Sequence, residues 1–450
     1  MSTRTRPRRT TQIFCASTLY GAVTIAAALD SGRFGPADRR ILLVTDNAPV
    51  PETTPSLDEA EGFARLRGRF DSVLSWNEVI SPLHPGGWTP RASDLPLLQR
   101  HLRRLWDLGD DRVELALESI QVTPALAIAQ LLPEASITVY ADGLMSYGPT
   151  RNKIDPLIGG RVSRLLHLDL VPGLAPLLLG EFGAVPEAVP VEAFTKCVEE
   201  LAGASPSGPS SSGPSPAEGP ALLLGQYLAA LNLLTAAEEE ELHLRMVRGA
   251  VARGHRRLVF KPHPTAPDAW SRKLVRAAEE LGAELTVEDR PVLAEVLYRE
   301  LRPALVVGCF STALLTAHTF YGLPVARVGT RPLLERLTPF QNSNRIPLTV
   351  VDAVVPPLDG PEGDGPGVGT EELNDLVAAV GFAMQPKIRP ELRTAAVRHL
   401  SGPVAERTRH HFTRRRLTAL GLPGGLPLPR HPQVRRLARR ALRLRRALKR

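Results

Sequence analysis

The chain has 450 residues, 43% of them hydrophobic, with 55 Lys/Arg against 47 Asp/Glu and a formal charge of +8. It is too long for one ordinary domain and too apolar for global disorder, so two cored domains are expected. The positive charge sits at the ends: residues 430–450 hold ten Lys/Arg and no acid, Arg4, Arg6, Arg8 and Arg9 add four more, and residues 10–429 are left at −6. A mildly acidic body without base-reading motifs argues against a nucleic-acid binder. Cys15, Cys197 and Cys309 are scattered, with no CxxC pair, which suits a reducing cytosol and argues against a structural zinc site.

From the N-terminus, an Arg-rich segment precedes an apolar-leaning stretch, Ile13 to Leu29. Ser17, Thr18, Tyr20, Gly21 and Thr24 interrupt it, so it reads as a short strand, a small-residue loop and a helix rather than a signal peptide. Strand-like runs are expected at Gln12–Ala16, Ile41–Thr45, Val73–Trp76, Glu114–Leu117 and Ser136–Tyr140. A second set follows at Ala221–Leu224, Arg257–Phe260, Glu284–Val287, Ala304–Val307 and Val325–Val328. Helical patterns lie between them at Leu97–Leu108, Ala236–Arg253, Asp268–Leu281 and Leu293–Leu301.

This alternation predicts an α/β fold with parallel sheets covered on both faces. The Pro/Ser/Gly-rich segment 203–219 cannot enter a core and reads as a linker. It separates an α/β lobe over 10–202 from a second over 220–425, with a basic tail at 430–450. No stretch approaches about 18 uninterrupted apolar residues, so no spanning helix is expected.

Three motifs fall at expected strand ends, where ligands bind in open α/β sheets. Tyr140-Ala141-Asp142-Gly143 offers a carboxylate before a turn glycine; alone, Asp-Gly is a common turn dipeptide. In Phe260-Lys261-Pro262-His263-Pro264, two prolines stiffen the backbone around an imidazole beside a Lys expected to face the cleft. In Gly308-Cys309-Phe310-Ser311-Thr312, a strand passes through Gly and Ser-Thr into a helix. That is either an anion site at a helix N-terminus or an ordinary N-cap. Together an acid from one lobe, and a His with a phosphate-binding helix start from the other, are the equipment for displacing a nucleotide from a sugar.

The order Asp-Gly, His-Pro, Ser-Thr resembles the signature motifs of bacterial GT-B sialyltransferases, and more narrowly the bacterial α-2,8-polysialyltransferase family. Trp76-Asn77-Glu78, Pro82-Leu83-His84-Pro85, Glu118-Ser119-Ile120-Gln121 and Leu224-Gly225-Gln226-Tyr227 add to the likeness, which spans roughly residues 10–350. The resemblance implies a GT-B fold of two Rossmann-like lobes and inverting transfer from CMP-sialic acid to a glycan acceptor, with no cofactor or metal. It also implies that Asp142 is the general base, His263 the acid or phosphate partner, and Ser311 with Thr312 the phosphate site. Gly143, Lys261, Pro264, Gln226, Ser17, Thr18 and Glu118 are expected around the substrates. One departure stands out: the family's first motif usually has two acids before the Gly, and Ala141 replaces the first. A CMP-Kdo or CDP-alditol transferase and a non-catalytic nucleotide-sugar-binding protein are the rival readings.

In the tail, Val434, Leu437, Ala441, Leu444 and Leu448 recur at three-four spacing among arginines, and Pro432 suits a helix start. A narrow apolar stripe under a broad cationic face is the pattern of an interfacial helix on anionic lipid. Docking on the acidic body, on a polyanionic glycan or on nucleic acid are the rival readings, and the membrane surface is the favoured one. The expected location is the cytoplasm, peripheral at the inner membrane face.

Overall fold

Two parallel sheets organise the protein in a computed structural model that describes residues 8–141, 143–203, 219–263, 268–360 and 368–426. The first comprises β1 (Thr10–Ala16), β2 (Arg39–Val44), β3 (Ser72–Ser75), β4 (Arg112–Leu117), β5 (Ser136–Ala141), β6 (Val162–Leu168) and β7 (Val185–Val189). Their order is β3-β2-β1-β4-β5-β6-β7. The second comprises β8 (Ala221–Leu224), β9 (Arg257–Lys261), β10 (Glu284–Val287), β11 (Leu305–Gly308) and β12 (Val325–Arg327), in the order β10-β9-β8-β11-β12. Both sheets are doubly wound: the chain moves outward on one side of the first strand, then crosses to its other side. Central strands covered on both faces read as continuous apolar runs, and β8, Ala-Leu-Leu-Leu, is buried throughout.

All ten strands expected from sequence form, with ends shifted by up to two residues, and the four expected helices form as Leu95–Leu105, Ala236–Ala252, Asp268–Glu280 and Ala294–Leu301. Two further strands, β6 and β7, had no strand-like run to announce them. Arg164 interrupts the first, and Pro186 and Glu187 interrupt the second. β7 is an edge strand, where Pro is tolerated, and Arg164 pairs with Glu187 across the ladder at 2.6 Å.

The lobes share one apolar core. A continuous set of buried side chains runs from Phe14, Leu166 and Phe194 in the first lobe to Leu223, Phe260 and Leu348 in the second. Phe194 meets Phe320 with ring centroids 5.7 Å apart, and the Thr319 hydroxyl donates to the Leu170 carbonyl at 2.8 Å. The helix Thr370–Met384 lies past the second sheet in sequence but returns to the first lobe. The Asn374 side chain donates to the Gly173 carbonyl at 2.8 Å and accepts from the Ala175 amide at 3.0 Å.

The segment around residue 410 is tied to the second lobe through buried Asp352. This carboxylate lies 2.9 Å from Arg327 Nη1, 2.6 Å from Thr330 Oγ1 and 2.7 Å from His410 Nε2. Burial alone would raise its pKa, but the His410 hydrogen bond and the Arg327 charge hold it well below the usual carboxylate range. The tail 430–450, nearly all of the 203–219 linker, Asp142 and Pro264 lie outside the described residues.

Candidate active site

In a doubly wound sheet, loops diverge where the strand order reverses, and that divergence leaves a crevice at the carboxyl edge. In the first sheet the reversal lies between β1 and β4, and the residues just beyond those strands are Ser17 and Glu118. The Ser17 amide donates to Glu118 at 3.1 Å, and its hydroxyl lies 2.7 and 3.0 Å from the two carboxylate oxygens. Tyr140 places its hydroxyl 3.2 Å from the same carboxylate and 2.8 Å from the Cys15 carbonyl. Glu118 therefore closes the floor of the crevice and orders it. Thr18 caps the helix Leu19–Asp30, accepting from the Gly21 amide at 3.0 Å, and is exposed.

In the second sheet the reversal lies between β8 and β11, and a side chain again bridges it. Gln226, beyond β8, accepts from the Phe310 amide at 2.9 Å. The turn that aims Gln226 needs Gly225: a Cβ there would stand 3.0 Å from Phe260, 3.1 Å from the Lys261 carbonyl and 3.2 Å from Pro262 Cα. The Gly225 amide donates to that carbonyl at 2.9 Å. Ser311 is the N-cap of the helix Thr312–Tyr321, its hydroxyl accepting from the Ala313 amide at 3.2 Å. Beneath the first turn, the Tyr298 hydroxyl donates to the Ala313 carbonyl at 2.7 Å, and buried Glu295 meets Thr316 at 2.6 Å.

The two edges face each other across a cavity of about 500 Å³. The first lobe contributes Glu118, Tyr140, Ala141 and Gly143, and the second Gln226, Phe310, Ser311 and Thr312. The edges touch at the motifs. A Cβ on Gly143 would stand 3.2 Å from Thr312 Oγ1, which lies 3.5 Å from the Leu144 amide. Both sequence neighbours of Asp142 thus line the cavity, and one meets the helix start of the other lobe.

The second motif is placed differently from the expectation. The strand continues to Lys261, and its pleat buries Leu258 and Phe260 on one side while Val259 and Lys261 are half-buried on the other. Lys261 therefore lies along the sheet instead of reaching over its edge. Its ammonium donates to the Arg290 carbonyl at 3.0 Å, burial lowers its pKa, and it is not among the residues lining the cavity.

His263 stands beyond β9 with its ring centroid 6.3 Å from that of Tyr227, outside the cavity lining. It is exposed overall, yet partial desolvation lowers its imidazole below the usual value. Strand β8 separates it from β11, so two strand spacings, about 10 Å, lie between those strand ends.

Several cavity residues had no signal in the sequence, among them Arg151, Ser343 and Asn344. The turn carrying the last two is held by Arg345, whose fully buried guanidinium donates to the carbonyls of Phe340 at 2.9 Å and Leu337 at 2.8 Å. Burial pushes its pKa down to about 10. Such a residue reads in sequence as one more surface arginine.

Among solved structures, similar chains include the GT-B domain of a sialyltransferase from Photobacterium damselae, at 11% identity and a TM-score of 0.39, covering 76% of this chain and 96% of that one. A UDP-glucosyltransferase from Polygonum tinctorium matches at 13% identity and a TM-score of 0.41, over 90% of this chain and 97% of that one. An O-GlcNAc transferase mutant from Thermobaculum terrenum matches at 15% identity and a TM-score of 0.37, over 90% and 66%. A comparison with curated proteins finds no match. With two doubly wound lobes facing one cleft, the architecture is GT-B, and the family model described as alpha-2,8-polysialyltransferase matches residues 12–330: the chain belongs to that family of glycosyltransferases.

Proposed function

We propose that the protein transfers sialic acid, with inversion, from CMP-sialic acid to a hydroxyl of a glycan acceptor, without a required metal. The observation that carries this reading is the meeting of Gly143 and Thr312. It brings the Asp-Gly turn of one lobe against the helix start of the other, where an acceptor and a nucleotide phosphate would lie side by side. The amides of Ser311 and Thr312 make no hydrogen bond to a described residue, and with the two hydroxyls at a positive helix end they form a set of donors for phosphate.

In the proposed displacement, the acceptor oxygen bonds to the anomeric carbon as the bond from that carbon to the phosphate oxygen breaks. The acceptor proton passes to Asp142. The leaving phosphate takes its charge to Ser311, Thr312 and the helix end, with His263, beyond β9 and two strands from β11, as acid or phosphate partner. Glu118 acts through Ser17 and Tyr140, keeping the floor ordered while most of its acceptor capacity is used within the protein.

A donor panel tests the reading. Turnover is expected with CMP-sialic acid and not with CMP-Kdo or a CDP-alditol; turnover confined to another donor, or binding of every donor without turnover, rejects it.

For location, we propose association with an anionic membrane surface at the cytoplasmic face through residues 430–450. Among the described residues no helix is long and apolar enough to cross a membrane. The support is the sequence pattern alone, an apolar stripe under arginines. Each basic residue near such a surface contributes about 1 kcal/mol, screened by salt. Deleting residues 431–450 is expected to abolish sedimentation with phosphatidylserine vesicles while sparing activity on a small soluble acceptor. Loss of that activity together with unfolding would instead make the tail a structural element.

A further inference from the structure

Arg151 is the one basic residue among the described residues that line the cleft. It stands where the cleft runs out into a shallower groove of about 370 Å³, open to solvent and lined by Asn152, Gln341, Asn342 and Gln385. No acidic residue lines that groove among the described residues. The Arg151 backbone is fixed on both sides: its amide donates to Gln121 Oε1 at 2.5 Å, and its carbonyl accepts from Gln385 Nε2 at 2.8 Å. Next to it Thr150 is fully buried, its hydroxyl accepting from the Leu179 amide at 3.1 Å. The side chain therefore projects from a rigid base.

The guanidinium itself makes no hydrogen bond or ion pair with any described residue. It is half-buried, and desolvation lowers its pKa with no acid opposing the shift. Two other buried or partly buried arginines of this fold are satisfied within the protein. Arg161 donates to the carbonyls of Ala129 at 2.6 Å and Leu132 at 2.7 Å, and Arg345 to those of Phe340 and Leu337. A desolvated cation without a partner is costly unless an anion completes it, and a guanidinium offers a fork of donors matched to a carboxylate.

We propose that Arg151 receives a carboxylate of the acceptor glycan, and that the amide-lined groove beyond it holds the acceptor chain. This rests on the sialyl-transfer reading, since an α-2,8-linked acceptor carries a carboxylate on every sugar. The acceptor is favoured over the donor as the source of the carboxylate by position. Arg151 belongs to the first lobe and opens onto solvent, where a chain longer than one sugar has room, whereas the proposed phosphate donors belong to the second lobe.

The test measures binding by calorimetry to the full chain in the presence of CMP. The ligands are an α-2,8-linked sialyl oligosaccharide and its carboxyl methyl ester. The wild type is expected to prefer the acid at least about tenfold. Arg151→Gln should lower affinity for the acid by about 10- to 100-fold, to the level of the ester, leaving CMP affinity and Tm unchanged. Arg151→Lys should keep part of the preference. A wild type without preference, or an Arg151→Gln variant that retains it, overturns the proposal. A raised KM for CMP-sialic acid with acceptor binding unchanged also overturns it, assigning Arg151 to the donor's carboxylate. Failure of the donor reading is seen separately: no turnover of CMP-sialic acid by a wild type that still prefers acid to ester supports the groove and sinks the donor.

Discussion

Replacing Asp142 by Asn is expected to cut turnover by about 100- to 10,000-fold while CMP affinity stays within about twofold of wild type. The amide has nearly the volume of the carboxylate but cannot take up the acceptor proton, so the loss should fall on kcat and spare donor binding. The position is supported by its sequence neighbours: Ala141 and Gly143 both line the cavity, and Gly143 meets Thr312 of the opposite lobe. With Ala at position 141 and Gly at 143, neither sequence neighbour of Asp142 offers a carboxylate to substitute as base. Single-turnover kinetics with a saturating donor checks this directly. Wild-type-like rates in a folded Asp142→Asn variant would remove that residue from the chemistry.

The second large effect is expected at Ser311 and Thr312. Changing both to Ala should weaken CMP binding by about 10- to 100-fold while changing cytidine binding little, because charge-assisted hydrogen bonds to phosphate are lost and contacts to the base are not. Ser311 also caps its helix, and removing a cap costs about 1 kcal/mol of stability, so the pair must be dissected. Ser311→Asn keeps a capping oxygen, and Thr312→Val keeps the shape without the hydroxyl. Loss of CMP affinity in Thr312→Val at unchanged Tm would locate the effect in the phosphate contact. Equal losses for CMP and cytidine would show that the helix start does not meet the phosphate. His263→Ala should perturb CMP affinity less than either, since His263 stands outside the cavity lining.

Much of the architecture could be read in advance because its signals are local. Runs such as Ala221–Leu224 and Leu305–Gly308 declare themselves by composition, and turn glycines such as Gly225 mark where they end. The misreadings also have local causes. The strand β6 carries Arg164 and buried His167 in what should be an apolar run, and β7 carries Pro186. The apolar run ends at Phe260, one residue short of the strand itself, and so points Lys261 into the cleft. One residue turns the side chain to the other face of the sheet, and the ammonium then meets the Arg290 carbonyl. Ser17, Glu118, Gln226, Ser311 and Thr312 follow strand ends in sequence, and the fold brings them to the two reversals of strand order, while Gly143, beyond β5, meets Thr312 across the cleft. Arg151, Asn344 and Arg345 were beyond reach for a different reason. Arg151 and Asn344 line a cavity whose walls come from segments some two hundred residues apart, as when Gln385 meets the Arg151 carbonyl, and Arg345 is claimed by the carbonyls of the loop before it; no periodicity encodes either arrangement.

The apolar core that runs from Phe194 to Phe320, and the helix that returns from the second lobe to bind Gly173, change what the word domain means for this chain. By topology there are two units. By energetics there is no seam between them, because the surface each would need to show water alone is spent on the other. A fragment ending in the 203–219 connector would carry Phe194 without Phe320 against it, and the complementary fragment would carry Phe320 without Phe194. The natural unit for expression, dissection or crystallisation is therefore the whole folded body. The connector can be lengthened, shortened or nicked with far less consequence than either lobe can be removed.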